Sequence, residues 1–370
     1  MQVSSRKRDF ASFTARCTTK KSVTSRSFQG RGTVDSKVAS VIGHKVDEMA
    51  CTSARSALPV VEEDPRDRKV LLEYPNLVPA RLIRRYKRFL ADVVLLEGTA
   101  NVPSTEVAKS SLGIDDGKAE SADAITVYCP NTGPMIGLLD AIPHVRVQLS
   151  KSCDPKRKYA YTLEMIQIHV AGARQNGVRD VWVGIHSTSA NRMIEKALTS
   201  RWLTELGHYD SVRREVKYAK NSRVDFVLSS NARDGTILHE KYIEVKSVTL
   251  AMEASGESSL RCAVFPDTVS TRAQKHVTEL TELLLTKAKA PSAPPNLSGA
   301  IIFLVQRDDC DEFAPSIQHD KKFTQLCAAA AKAGIQLLAY ACALEPDESN
   351  RTGAVRLLRA LPLHRAAMQA

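Results

Sequence analysis

Asp225, Glu244 and Lys246 are the residues of this chain best placed by type and spacing to do chemistry. Asp225 interrupts the apolar run "RVDFVLSS", and Glu244 and Lys246 flank one valine in "KYIEVKSVTL". A carboxylate is expensive to bury unless it is paired, hydrogen-bonded or bound to metal. Alternation along a strand sends Glu244 and Lys246 to one face, with Val245 opposite, and a neighbouring strand brings Asp225 alongside. Two carboxylates so placed suit a hard divalent ion, Mg²⁺ or Mn²⁺, through oxygen ligands. Such an ion lowers the pKa of a bound water and neutralises phosphoryl charge. The lysine orients the water or stabilises developing negative charge. This is the chemistry of a metal-dependent phosphodiester hydrolase. The same three residues also suit a buried ion-pair network without catalysis, and their spacing does not separate the two.

The elements that must position them follow from the periodicity. After about Val170, "VWVGIHS" reads as a strand and "SANRMIEKALTSRWLTEL" as a helix, with Met193, Ile194, Ala197 and Leu198 on one face. Strands "REVKYAK", "RVDFVLSS" and "KYIEVKSVTL" come next, then helix "STRAQKHVTELTELLLTK". "AIIFLVQR" and "IQLLAYACAL" are continuous apolar strands of the kind buried on both faces. Between them "DKKFTQLCAAAAKAG" reads as a helix ended by Gly334. Residues 170–370 are therefore an α/β domain with mixed strand pairing. Glu215, in "REVKYAK", is a further carboxylate within reach of such a site, and Lys275 and His276 offer phosphate contacts from the second helix.

Residues 71–169 read differently. "RRYKRFLADVVLLEG", "AITVYCPNT", "HVRVQLSK" and "KYAYTLEMIQIHV" are short β runs separated by turn signals. Their size fits a five-stranded OB-type barrel, although an SH3-like barrel has the same periodicity. The polar stretch from Ser104 to Asp123 reads as a surface insertion within a hairpin. Arg84, Arg85, Lys87 and Arg88 interleave with Tyr86 and Phe89, and Lys156, Arg157 and Lys158 stand beside Tyr159. Cations next to rings hold nucleic acid, the charge on phosphate and the ring under a base. Such cations also protect a strand edge from pairing. "CPNTGPM" reads as a tight turn in which Asn131 and Gly133 supply the unusual backbone angles.

Composition agrees with a polyanionic partner. The net charge is +11 over 370 residues, which suggests DNA, or RNA as the alternative nucleic acid, before a membrane. Part of that excess lies in residues 1–70, rich in Ser, Thr, Arg and Lys at the start and poor in acid there. Such a leader has the character of a disordered plastid transit peptide, with the mitochondrion as the alternative destination. No apolar run is long enough for a membrane-spanning helix. The eight cysteines show neither CxxC pairs nor zinc spacing, which fits a reducing compartment.

The blocks "RYKRFLADV", "CPNTGPM", "RKYAYTLE", "ANRMIEKAL", "EVKYAKNSRVDFVL", "IEVKSVTL" and "FPDTVSTRAQKHVTEL" occur in the order found in the sugar fermentation stimulation protein A family, which the chain resembles over nearly all of its folded part. The resemblance implies an OB-fold followed by a PD-(D/E)XK nuclease-like domain, and a DNA-binding role. It places Asp225 and Glu244 as metal carboxylates and Lys246 as the catalytic lysine. It adds Glu195 as a helix carboxylate facing the metal, and Gln274 as a helix glutamine beside the reaction. Glu195 equally suits an ordinary surface pair, and Gln274 a helix cap. Asp267 caps the helix or cradles the lysine. The basic leader and the polar insertion depart from the family pattern and suggest a eukaryotic, organelle-targeted relative.

Overall fold

The computed structural model describes residues 69–96, 123–143, 145–171, 178–219, 222–253, 260–287 and 296–364. The leader and most of the polar insertion lie outside the described residues. The first half contains β1 (Val70–Tyr74), β2 (Leu77–Tyr86), β3 (Leu90–Leu95), β4 (Ile125–Tyr128), β5 (Val145–Lys151), β6 (Tyr161–Ala171) and β7 (Val178–Gly184). The second half contains α1 (Ser189–Thr199), β8 (Ser211–Ala219), β9 (Ser222–Asn231), β10 (Ile237–Val248), β11 (Leu250–Glu253), β12 (Arg261–Phe265), α2 (Thr271–Lys287), β13 (Asn296–Val305), β14 (Glu312–Pro315), α3 (Lys321–Lys332), β15 (Gln336–Asp347) and β16 (Thr352–Leu361).

Strands β4-β3-β2-β5-β6-β7 form one sheet, and a β4–β6 pairing at Tyr128 and Thr162 closes five of them into a barrel. This is the OB-type barrel expected from the β runs. Alternate residues fill it: Leu82, Val93, Val127, Val147, Leu149, Leu163 and Ile166 are all buried inside. β3 and β4 pair antiparallel, so the segment between them does connect a hairpin.

The second sheet runs β1-β16-β15-β13-β10-β9-β8. Its centre, β10-β13-β15, is parallel, and its flanks are antiparallel. Six consecutive residues of β13, Ala300–Val305, are buried, because helices cover both faces. α1 packs one face through Met193, Ile194, Ala197 and Leu198, against Phe226, Ile243 and Val245. α2 and α3 pack the other, Val277, Leu280, Phe323 and Cys327 meeting Val227, Phe303 and Ala339. Asp320 caps α3 by accepting from Phe323 N at 2.9 Å, and Gly334 follows it at a φ of +91°, as a helix-ending glycine should. The small sheet β11-β12-β14 lies outside this frame. No helix among the described residues is long and apolar enough to cross a membrane.

Three assignments change. β7, expected to open the second domain, pairs with β6 in the barrel sheet, so the barrel reaches Gly184 rather than residue 169. β1, expected in the barrel, pairs with the C-terminal β16 and belongs to the other sheet. Period 2 marks a strand but not its partner. The run "RRYKRFLADVV" is not one strand: Lys87, Arg88 and Phe89 make the turn between β2 and β3, and Lys87 and Arg88 have φ of 48° and 64°.

Candidate functional site

β9 and β10 run antiparallel, with Phe226 opposite Ile243. One step further sets Asp225 beside Glu244. Val245 faces α1, whereas Tyr242 and Val248, in step with Glu244 and Lys246, face α2 and α3. Glu244 and Lys246 are 5% and 9% exposed. Lys246 Nζ donates to Glu244 Oε1 at 2.6 Å, and Nδ1 of His276, from α2, hydrogen-bonds the same oxygen. Asp225 accepts from Val245 N and from Asn191 Nδ2, each at 2.7 Å.

Charge is unevenly balanced here. Burial works to raise the Glu244 carboxyl, but Lys246 and His276 outweigh it and hold Glu244 below its ordinary range. Asp225 has neutral donors only. Burial, and then the Glu244 charge, push its carboxyl above the ordinary range. A divalent cation would relieve that repulsion. Both donors are hard oxygen ligands, and Mg²⁺ is commonly held by one or two carboxylates while keeping several waters. In this sense Asp225 and Glu244 fit such an ion. No cluster of three or more His, Cys, Asp or Glu suited to a metal occurs among the described residues.

The other expected site residues are committed elsewhere. Glu195 lies on α1 one turn beyond Asn191, but it is committed to β8, accepting from Arg214 Nη1 at 2.7 Å. It does not join Asp225 and Glu244 as a third carboxylate. Gln274 is buried, and its Nε2 donates to both oxygens of Asp320, at 2.9 and 3.0 Å. It therefore ties α2 to the α3 cap instead of standing beside the carboxylates. Glu215 is paired with Arg223 at 3.3 Å. Asp267 neither caps α2 nor touches Lys246: it accepts from Met135 N at 3.3 Å, linking the α2 approach to the barrel. The two site contacts that the sequence reading missed or misassigned are Asn191 and His276. Asn191 carried no signal, and His276 lay on a helix face open to several partners.

On the barrel, Arg84 Nε donates to Asp92 Oδ2 across the strand pair at 2.7 Å, and its guanidinium lies 5.1 Å from the Tyr86 ring centroid. Tyr86 Oη and Thr126 Oγ1 also donate to Asp92, at 3.0 and 2.8 Å. Val127 points into the barrel, so Thr126 and Tyr128 share the outer face of β4. Arg157 lies 5.9 Å from the Tyr128 ring and donates to Thr162 at 2.7 Å. Lys158 lies 5.4 Å from the Tyr159 ring. Arg84, Tyr86, Tyr128 and Arg157 thus form one outer strip of cations and rings. Lys87 and Arg88 project from the turn beside it, and Lys156 from the β5–β6 loop, all exposed. Asn131 and Gly133 do not supply positive φ; Met135 and Gly137 do. Gly133 is needed for space, since a Cβ there would lie 2.8 Å from an Asp267 oxygen.

Two family models divide the chain where the fold does. The SfsA N-terminal OB domain matches residues 83–185, and the sugar fermentation stimulation protein RE domain matches residues 188–348. Sugar fermentation stimulation protein homologues are similar along most of the chain. The one from Acaryochloris marina is 36% identical, covering 75% of this chain and 91% of its own. The one from Crocosphaera subtropica is 38% identical, covering 72% and 88%. Among solved structures, Pyrococcus furiosus SfsA, determined in complex with Ca²⁺, superposes with a TM-score of 0.57. It is 21% identical and covers 80% of this chain and 99% of its own, a likeness of fold. With this arrangement of domains and these relatives, the chain belongs to the sugar fermentation stimulation protein family.

Proposed function

We propose that this protein binds DNA on its barrel and hydrolyses phosphodiesters, with Mg²⁺ or Mn²⁺, at the Asp225–Glu244–Lys246 face. The observation that carries the reading is half-buried Asp225 set beside buried Glu244 on β9 and β10, with Lys246 and His276 both on Glu244 and only neutral donors on Asp225. A cation bound there supplies Lewis-acid stabilisation of phosphoryl charge. Val245 N and Asn191 fix the orientation of Asp225. Lys246, against Glu244 at 2.6 Å, would be within reach to orient a water or meet developing negative charge beside a cation that the two carboxylates would hold. The strip Arg84–Tyr86–Tyr128–Arg157 offers phosphate contacts and stacking rings, a pattern suited to nucleic acid; RNA shares that chemistry. That the Pyrococcus furiosus relative was determined in complex with Ca²⁺ supports cation binding by this fold.

Cleavage of plasmid and oligonucleotide DNA with Mg²⁺ or Mn²⁺, against an EDTA control, tests the reading. Asp225→Asn and Glu244→Gln should abolish the cation-dependent cleavage, and Lys246→Ala should slow it by ~10²–10⁴. A second reading, DNA binding without catalysis, draws on the closed Lys246–Glu244–His276 network and on the commitment of Glu195 and Gln274 elsewhere. Wild-type protein that binds DNA yet leaves it uncut with either cation would favour that second reading. Import into a plastid, or a mitochondrion, by residues 1–70 is a separate proposal from composition. A reporter carrying those residues and remaining in the cytosol would overturn it.

A further inference from the structure

Where the barrel meets the second domain there is a cleft of about 610 Å³. Its walls are the β2–β3 turn, the loop after β4, and the loop leading into the first turn of α2. Its charged lining is Arg85, Arg88, Arg272 and Asp267. Asp267 is turned against Gly133 and Met135 N, so the three arginines dominate. Arg88 and Arg272 are exposed and make no ion pair among the described residues.

The turn that presents Arg88 is costly. Lys87 and Arg88 both lie in the left-handed region, which is disfavoured for non-glycine residues. Arg85 holds it there: its Nη2 donates to the carbonyls of Arg88 and Asn131, at 2.5 and 2.6 Å. Opposite stands the N-terminal turn of a seventeen-residue helix, α2, whose dipole favours an anion. Phe89, next to Arg88, is 48% exposed, and Val269 on the cleft wall is 63% exposed. An aromatic ring and an apolar surface thus adjoin the cationic lining.

The cleft and the carboxylates share α2 as a border. Arg272 and His276 are four residues apart on α2 and share a face, and His276 hydrogen-bonds Glu244. The volume lies within the 300–1,000 Å³ or so of pockets that take a small-molecule-sized group, which suits a nucleotide unit.

We propose that this cleft takes a single-stranded stretch of nucleic acid, with Arg88 and Arg272 on its phosphates, and leads it from the barrel toward Asp225 and Glu244. The inference rests on the barrel binding nucleic acid; it adds a strand-selective passage. The test uses the full chain in EDTA, so that hydrolysis plays no part. Labelled oligothymidylate and a duplex of equal length are titrated over a salt series. Arg88→Ala/Arg272→Ala should weaken single-strand binding at least tenfold and flatten its log K against log salt slope by about 1.4, two phosphate contacts. Duplex binding should change less, and Arg88→Lys/Arg272→Lys should restore the slope. A melting curve checks that each variant is folded. An unchanged single-strand slope, with wild-type protein binding both oligonucleotides, overturns the passage and leaves the barrel reading standing. No binding by the wild type overturns both. Thymidine monophosphate binding as tightly as the oligonucleotide overturns the strand and makes the cleft a nucleotide site.

Discussion

Arg307–Asp309 and Lys246–Glu244 are both cation–carboxylate pairs buried near the ends of neighbouring parallel strands, but their charges are balanced differently. Asp309 receives a two-pronged contact from Arg307, at 2.6 and 2.7 Å, and Arg261 stands 3.4 Å away. The third arm of Arg307 donates to Thr249 O at 2.9 Å. Every charge there has a geometric partner, as a structural ion pair requires. At β10 one lysine and one imidazole share a single oxygen of Glu244, while Asp225 alongside has only neutral donors. The first cluster is complete as it stands. The second keeps negative charge that an added cation would complete, and this difference separates a site from a strut.

The comparison breaks most visibly on removing a cation from the complete cluster. Arg307→Ala leaves Asp309 buried beside only Arg261 and should cost about 3–5 kcal/mol of stability in denaturant unfolding. Its Mg²⁺ affinity should match the wild type. Loss of Mg²⁺ binding without loss of stability would reverse the two assignments.

A smaller effect belongs to the incomplete cluster. Mg²⁺ or Mn²⁺ at a hundredfold excess over Kd should stabilise the wild type by about 2.7 kcal/mol. Asp225→Asn should show no such shift in thermal melting. Equal shifts in both proteins would place the cation elsewhere.

The two aspartates should also respond to pH with opposite signs. Asp225 is raised from 3.8, by burial and by Glu244. Its contribution to stability is full below pH 3.8 and is lost as pH rises through the folded value. For Asp309, burial works upward, but Arg307 outweighs it and the carboxyl is lowered from 3.8. Its contribution is full above pH 3.8 and is lost as pH falls through the folded value. Unfolding free energies of wild type against Asp225→Asn and against Asp309→Asn, followed over acidic pH, should therefore diverge. Parallel curves would mean that the clusters are electrically alike.

Least affected should be Glu195→Gln. Its partner Arg214 is half exposed, and such a pair contributes about 0–1 kcal/mol. Stability should change little and the cation-induced shift in melting should persist. A lost shift would show that Glu195 leaves Arg214 to serve the cation.

How much of this was legible in the sequence depended on the distance over which each feature is decided. The helices α1, α2 and α3 were readable from apolar periodicity, and the stop at Gly334 from its residue type. The side-by-side placement of Glu244 and Lys246 follows from the pleat itself, which only the strand assignment is needed to use. Gln274 and Glu195 were not readable in the same way. Each is a polar group on a helix with several possible neighbours, and Asp320 and Arg214, far along the chain, became their partners through packing. The β2–β3 turn was hidden because Lys87 and Arg88 carry no turn signature, and the strain they bear is held by a distant contact between Arg85 and the Asn131 carbonyl.

The sequence by itself determined the three long helices and the central strands, the face shared by Glu244 and Lys246, and the membership of the family, because these rest on covalent geometry and on residue order. Only the tertiary structure decided that β1 joins β16, that β7 completes the barrel sheet, and that Asp225 comes to Glu244 without a cation of its own. Strand partners and charge balance are set when apolar faces from remote segments are buried together, and the alternating pattern that makes a strand does not name the strand beside it.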